Sequence, residues 1–124
     1  MKILLTRHGE TEENKTGVLQ GWKPGYLSEK GKEQAKLIAD RLKNIKIDVI
    51  ITSDLKRCSD TAKEIYKNHK KAKFIKEKVL RERKLGEFEG RVVGYSDWDA
   101  LPGDVYTNRP KGGETFMEVW ERLT

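Results

Sequence analysis

Cysteine and histidine are scarce in this sequence. It holds one cysteine, Cys58, and two histidines. These numbers exclude a disulfide scaffold and a zinc site of the finger type. Arg57 stands beside Cys58, and a neighbouring cation can lower the pKa of a thiol and make it a nucleophile. The interpretation we favour is a small buried residue on a helix.

Long apolar runs are also absent. No segment approaches the roughly 18 apolar residues that a membrane-spanning helix needs. The apolar run at residues 3–5 is far too short for the core of a secretory signal. We therefore expect no membrane partner and a cytoplasmic location.

Basic residues outnumber acidic ones, 26 to 20, so the formal net charge is +6. The excess is concentrated in the lysines of residues 67–78, which could bind nucleic acid or could form a solvated helix end and loop. Apart from Phe74, no aromatic side chain stands among these lysines to stack on bases, which favours the second interpretation. We expect no nucleic-acid partner, whereas a small anionic ligand suits the charge.

Apolar periodicity predicts one α/β domain over residues 1–124. Continuous or β-branched runs predict strands at 3–5, 45–51 and 73–78. Apolar residues at helical spacing predict helices over 28–42 and 54–69. Strand and helix therefore alternate, and this alternation is typical of a parallel sheet.

The chain beyond residue 86 has a different character. Residues 86–113 are rich in glycine and proline, and predict a long loop with one short helix, which could serve as a lid. Thr115 and Glu118 then have the spacing of a capping box. They predict the start of a last helix with an apolar stripe.

Polar side chains follow each predicted strand. Ligands of an open α/β sheet bind beyond the carboxyl ends of the strands, and right-handed crossovers bring those ends to one edge. We therefore expect one site that contains a histidine, several arginines and one or two carboxylates. The side chains in question are Arg7, His8 and Glu10 after the first strand, Ser53 and Arg57 after the second, and Arg81, Glu82 and Arg83 after the third.

This set of side chains suits phosphoryl transfer without a metal ion. Guanidinium groups bond two phosphate oxygens each and neutralise their charge. A histidine among arginines stays neutral, which is its nucleophilic form, and a carboxyl group can protonate the leaving oxygen. Taken singly, His8 could be a buried polar residue, Arg57 a surface residue on a helix and Glu82 part of a solvated charge run.

Five sequence blocks resemble the histidine phosphatase superfamily, which includes the cofactor-dependent phosphoglycerate mutases. They stand in the same order and at similar spacing over nearly the whole chain. The blocks are LTRHGET at 5–11 followed by Asn14, LSEKG at 27–31 followed by Gln34 and Ala35, TSDLKR at 52–57 followed by Thr61 and Ala62, LRERKLG at 80–86 followed by Glu89 and Gly90, and PKGGETF at 110–116.

The resemblance implies a three-layer α/β/α sandwich with a mainly parallel sheet and a phosphohistidine intermediate. It implies that His8 is the nucleophile and that Glu82 is the general acid and base. It assigns Arg7 and Arg57 to the phosphate, and it implies neither a metal nor another cofactor. It also places four further residues at the substrate, namely Asn14, Gln20, Gly21 and Arg83.

One feature of the family is missing from this sequence. The resemblance implies a second histidine, in a Ser-His-Gly-type stretch on a later strand, but the sequence ends at Thr124. In the family this strand extends the sheet beside the first strand. We therefore expect a C-terminally truncated domain with an unpaired sheet edge, through which it could form a homodimer.

Three functions follow from these observations. The first is a metal-independent phosphatase that acts on phosphorylated small molecules. The second is a phosphoglycerate mutase. The segment between Glu82 and the Gly-Gly-Glu block is shorter than the arginine-bearing insertion of the mutases, which favours hydrolysis. The third, made plausible by the missing histidine, is a catalytically impaired phosphate-binding or interaction module.

Overall fold

The computed structural model describes all residues, Met1–Thr124. Seven regular elements and two 3₁₀ turns follow one another along the chain. They are α1 (Glu12–Thr16), α2 (Glu29–Leu42), β1 (Val49–Ser53), α3 (Lys56–Tyr66), β2 (Lys73–Glu77), the 3₁₀ turns Lys78–Leu80 and Gly86–Phe88, α4 (Tyr95–Asp99) and α5 (Phe116–Leu123).

The sheet consists of two parallel strands. β1 pairs with β2 in a register that sets Val49 opposite Lys73 and Ser53 opposite Glu77. Helix α3 connects the two strands and packs on β1 and α2. This arrangement confirms the prediction of an α/β fold with a parallel sheet, because a helix crossover is what joins parallel neighbours.

A small apolar core lies where these elements meet. Side chains of modest size fill it, so the backbones approach closely. The buried core residues are Ala39, Ile50, Ala62, Ile65 and Ala72.

None of the helices combines the length and the apolar character that crossing a membrane requires.

Side-chain caps begin the helices where the sequence predicts them. The Ser28 hydroxyl accepts a hydrogen bond of 3.0 Å from the Gly31 amide at the start of α2. The capping box of α5 has both of its bonds, since the Thr115 hydroxyl accepts from the Glu118 amide and the Glu118 carboxylate from the Thr115 amide. Each cap satisfies amides that have no partner within the helix.

The predicted strand at residues 3–5 is wrong. Ile3 and Leu5 are 74% and 97% exposed, and the run forms no ladder with β1 or β2. An apolar run becomes a strand only when a neighbouring strand accepts its backbone hydrogen bonds. The structure offers this run no such neighbour.

Other boundaries differ by a few residues. The second predicted strand, 45–51, is observed at Val49–Ser53, and the helix predicted over 54–69 spans Lys56–Tyr66. The sequence analysis missed α1, whose capping box joins Thr11 and Asn14. The third strand and the loop with one short helix are confirmed.

Candidate active site

The backbone around His8 packs directly against the start of α2. A Cβ atom added to Gly9 would lie 2.4 Å from the Gly31 carbonyl oxygen, and one added to Gly31 would lie 1.9 Å from the Glu10 carbonyl oxygen. Both distances are far below van der Waals contact. Glycine at 9 and 31 therefore lets the loop that carries His8 lie against the helix.

Hydrogen bonds to two helices hold the same loop. The Gly9 amide donates to the Thr61 hydroxyl of α3 at 3.1 Å. The Glu10 amide donates to Gln34 Oε1 of α2 at 2.9 Å. His8 is thus positioned by helix contacts, and not by a strand as the sequence analysis expected.

The imidazole of His8 has one defined tautomer. Its Nδ1 lies 2.7 Å from the Gly9 carbonyl oxygen. A carbonyl can only accept, so Nδ1 carries the proton and Nε2 keeps a free lone pair.

Burial is the main factor that lowers the pKa of His8. The positive charges of Arg57 and Arg7 lower it further, while the bond to Gly9 and the negative charge of Glu82 raise it. The net direction is downward, so the imidazole is neutral at pH 7.

A solvent-open cavity of about 470 Å³ lies beside His8. Its walls are mainly polar, which suits an ionic ligand more than an apolar one. Residues that line it include Thr6, Arg7, His8, Asn14, Gln34 and Thr61.

Arg57 is the most deeply buried cation of the site, at 2% exposure. Its two terminal nitrogens donate to backbone carbonyls, at 2.7 Å to Lys23 and 2.9 Å to Gly21. Its Nε atom is buried without a partner, as is Oε1 of Gln20. Because buried polar atoms are almost always paired, these two unpaired atoms set the surroundings of Arg57 apart from the rest of the buried polar groups.

The turn that Arg57 holds is tied to the segment carrying Glu82. Glu89 Oε1 accepts from the Trp22 and Leu85 amides, at 2.9 Å each. The indole Nε1 of Trp22 donates to the Glu82 carbonyl oxygen at 2.8 Å. The phosphate-binding candidate Arg57 and the acid candidate Glu82 are therefore linked through a few hydrogen bonds.

The remaining predicted residues occupy different surroundings. The Glu82 side chain is exposed, and its Oε1 accepts from the Arg83 amide at 3.2 Å. Asn14 lines the cavity of His8, although its Oδ1 also caps α1 by accepting from the Thr11 amide. Gly21 is buried and has a φ of +50°, a conformation that favours glycine.

The Arg83 guanidinium is bound to the loop that precedes α5. Its guanidinium donates to the Glu114 carbonyl and to both oxygens of Asn108, and it lies 4.5 Å from the ring centre of Phe116. Burial lowers its pKa from the usual value. Contact with substrate, which the resemblance implied, stays a prediction.

Three residues around the site were not singled out from the sequence. Thr61, Trp22 and Glu89 form hydrogen bonds with residues far along the chain, which no local pattern reveals, although Thr61 and Glu89 stand in blocks that resemble the family. The reactive-thiol interpretation of Cys58 gains no support, because burial raises the pKa of that thiol. No group of three or more His, Cys, Asp or Glu side chains could hold a metal ion.

The sequence model of one protein family matches residues 3–124 of this chain, namely the histidine phosphatase superfamily (branch 1). The chain belongs to this superfamily. This confirms the resemblance that the five sequence blocks carried. The match also covers the site described above, from Arg7 to Glu82.

Relatives within the histidine phosphatase superfamily carry the names of several activities. The chain is 41% identical to a probable phosphatase of Schizosaccharomyces pombe, over 75% of this chain and 44% of that protein. It is 35% identical to phosphoglycerate mutase-like protein 4 of Arabidopsis thaliana, over 99% of this chain and 57% of that protein. The chain therefore spans about half the length of these relatives.

The fold also matches solved structures. A mycobacterial glucosyl-3-phosphoglycerate phosphatase, solved in complex with VO3, superposes with a TM-score of 0.80 at 33% identity. The superposition covers 93% of this chain and 57% of that one. It confirms the architecture expected from the histidine phosphatase resemblance.

Proposed function

We propose that the protein hydrolyses phosphomonoesters of small molecules through a phosphohistidine on His8, without a metal ion or other cofactor. The observation that carries this proposal is the bond from His8 Nδ1–H to the Gly9 carbonyl. It leaves Nε2 unprotonated beside a polar, solvent-open cavity. An imidazole in this state is a competent nucleophile.

The reaction has two steps in this proposal. His8 Nε2 attacks phosphorus, the bond between phosphorus and the ester oxygen breaks, and the Glu82 carboxyl gives its proton to the departing alcohol. Glu82 then takes a proton from water as the water oxygen attacks phosphorus and the bond between nitrogen and phosphorus breaks. The products are the alcohol, inorganic phosphate and free His8.

Arginines supply the positive charge that the transferring phosphoryl group needs. In the proposal, Arg7 and Arg57 bind the phosphate oxygens, and the buried Nε of Arg57 has no other partner. Asn14 lines the same cavity as His8 and contacts the phosphate. Gln20, Gly21 and Arg83 are assigned to the substrate by the family resemblance.

A phosphoglycerate mutase is the second candidate, favoured by the similarity to phosphoglycerate mutase-like protein 4. We prefer the phosphatase because the cavity beside His8 is open and the Glu82 side chain is exposed, so water can reach the phosphohistidine. A catalytically impaired phosphate-binding module is the third candidate, and only an assay separates it from the others.

The test compares two substrates and two histidine variants. The protein should release phosphate from p-nitrophenyl phosphate and should not interconvert phosphoglycerates. His8→Ala should abolish turnover, whereas His69→Gln should keep it, because the His69 ring forms its hydrogen bond with the Leu42 carbonyl at the end of α2 and does not line the cavity beside His8. Equal rates in wild type and His8→Ala would overturn the assignment of the nucleophile.

Two expectations about the whole protein also belong to this proposal. The single cysteine suits a cytoplasmic location. We also expect that the lysine-rich segment 67–78 does not bind nucleic acid. The free edge of β1, beside the exposed side chains of Val49 and Ile51, suits a homodimer. Sedimentation should then give a dimer that Ile51→Lys dissociates and that Leu37→Lys, an exposed control on α2, does not.

A further inference from the structure

A second cavity, of about 570 Å³, lies between the segment that carries Glu82 and the loop around α4. It is separate from the polar cavity beside His8, and its walls are more apolar. The side chains that decide its chemistry are Glu82, Arg83, Trp98, Asp99, Asp104 and Phe116.

Glu82 connects this cavity with the reacting atoms. In the proposed reaction Glu82 gives its proton to the leaving oxygen, and the same residue forms part of the cavity wall. An acid that protonates the leaving oxygen must touch that oxygen. The alcohol part of a phosphomonoester whose phosphorus is at His8 therefore extends from Glu82 into this cavity.

Negative charge predominates in the walls. Asp99 stands at the end of α4 with an exposed side chain, and Asp104 is held ionised because the Thr107 hydroxyl and the amides of the following turn donate to it and lower its pKa. Arg83 is the one cation of the wall, and its donors are directed at Asn108 and the Glu114 carbonyl. Even with Glu82 protonated, two carboxylates face one engaged guanidinium.

Apolar groups complete the cavity. Trp98 packs edge-to-face on Phe88, with ring centres 4.9 Å apart, which orients the indole. Leu101 and Val105 line the same cavity. These side chains remove water from one side of a bound alcohol, and any charge on that alcohol then interacts more strongly with the wall.

We infer that this cavity selects the leaving alcohol of the phosphatase reaction, and that it favours an uncharged or cationic alcohol with an apolar face over one that carries a carboxylate or a second phosphate. Asp99 and Asp104 are the residues that discriminate. The inference rests on the proposed function, since it describes the substrate of that same site.

The test uses two phosphomonoesters that differ in one group. Glycerol 3-phosphate has a hydroxymethyl group where 3-phosphoglycerate has a carboxylate. The value of kcat/KM should be higher for glycerol 3-phosphate by about tenfold, as expected for one unfavourable charge contact near a protein surface. Asp99→Asn and Asp104→Asn should each reduce this ratio, and Asp99→Lys should reverse it.

A matched control separates a local effect from the overall charge. Asp97 lies on the same short helix, outside the cavity wall, and caps Gly94 through an oxygen that asparagine also offers. Asp97→Asn should leave both the ratio and the rate with p-nitrophenyl phosphate unchanged. An equal ratio in wild type and Asp99→Asn, or a preference for 3-phosphoglycerate, would overturn the inference.

A binding measurement keeps this inference distinct from the proposed function. The His8→Ala protein cannot form the phosphohistidine, so titration calorimetry measures binding without turnover. Both esters carry the same phosphate group, and the difference between their affinities therefore reports on the cavity that holds the alcohol. Tighter binding of glycerol 3-phosphate, lost in the double variant with Asp99→Lys, supports the inference even if wild type has no turnover. Equal binding of both esters overturns it even if wild type is an active phosphatase.

Discussion

Two buried arginines support the two sides of the candidate site, and they do so differently. The Arg57 corner consists of Arg57 and the turn at residues 20–25, whose carbonyls its terminal nitrogens hold. The Arg83 corner consists of Arg83 and the loop at 104–114, which it holds through Asn108 and the Glu114 carbonyl. Arg57 keeps a buried Nε without a partner, whereas no such atom is found on Arg83.

The difference shows that two buried arginines of one site can bond to the backbone in different ways. A guanidinium has five donors in a fixed fork, so it can hold backbone with some and still offer others to a phosphate. The Nε atom of Arg57 is a donor that makes no hydrogen bond within the protein. Arg83 lies between Trp98 and Phe116, with ring centres 5.6 and 4.5 Å away, and its role is to keep the loop against the segment that carries Glu82.

The largest expected effect separates the two arginines in activity. Arg57→Lys should lower kcat/KM for p-nitrophenyl phosphate by about 10²–10³-fold, as the loss of a preorganised donor to a transition state does. Arg83→Lys should lower it less than about tenfold, while each variant loses roughly 1–3 kcal/mol of stability through unpaired carbonyls. Arg41→Lys, an exposed residue on α2, is the control. Equal losses of activity at positions 57 and 83 would contradict the comparison.

Backbone freedom should differ between the corners as well. A Cβ at Gly25, where φ is +67°, would lie 2.4 Å from Gln20 Oε1, and Gly25→Ala should cost about 3 kcal/mol from strain and overpacking together. Gly103→Ala in the loop, where φ is +94° and a Cβ would lie 2.7 Å from the Thr107 hydroxyl oxygen and 3.4 Å from the nearest backbone atoms, should cost about 1–2 kcal/mol.

Chemical denaturation measures both glycine variants against a third. Gly17→Ala introduces the same kind of strain at φ +71° but meets no atom within 4 Å, so it reports strain alone. A loss for Gly25→Ala no greater than that for Gly17→Ala would show that the Arg57 corner tolerates rearrangement.

Arg57 and Glu82, one on each side of the candidate site, should shift the pKa of His8 in opposite directions. The pKa of His8 is lowered from 6.5 by burial and by Arg57, and it is raised by Glu82. Arg57→Gln should therefore raise it and Glu82→Gln should lower it. The acid limb of activity follows this pKa, because protonation removes the nucleophilic lone pair, and below 6.5 protonation also favours the unfolded chain.

Proton NMR of the imidazoles provides this titration. The sequence has two histidines, so the His69→Gln variant assigns the signals. Arg7 is an exposed cation that also lowers the pKa of His8. Arg7→Gln should therefore raise this pKa, as Arg57→Gln should, but without the loss of a buried hydrogen bond. Shifts of the same sign for Arg7→Gln and Glu82→Gln would contradict the electrostatic account.

The smallest expected effect concerns the bond that joins the corners. Trp22→Phe removes the donor to the Glu82 carbonyl and keeps an aromatic ring under Arg81, whose guanidinium lies 4.8 Å from the ring centre. Arg122 also donates to that carbonyl, at 3.1 Å, so the loss should be about 1 kcal/mol or less. We expect a small decrease in kcat and an unchanged KM for p-nitrophenyl phosphate. A larger effect on KM would assign Trp22 to the substrate.

The sequence predicted those parts of the fold that depend on local interactions. Ser28 and Thr115 cap helices because their hydroxyls reach amides three residues later, and this spacing is visible in the sequence. The candidate nucleophile and its acceptor, His8 and Gly9, are neighbours in the chain. The run at 3–5 misled the prediction because a strand requires a partner, and its apolar pattern does not contain one.

The sequence by itself determined the alternation of strands and helices, the helix caps and the residue types of the candidate site. Tertiary structure alone decided which hydrogen bonds those residues form. It leaves Arg57 Nε without a partner, and it directs Arg83 to the Glu114 carbonyl and Trp22 to the Glu82 carbonyl. The reason is that burial and hydrogen-bond geometry arise between residues far apart in the chain, whereas composition and spacing report only what each segment can do alone.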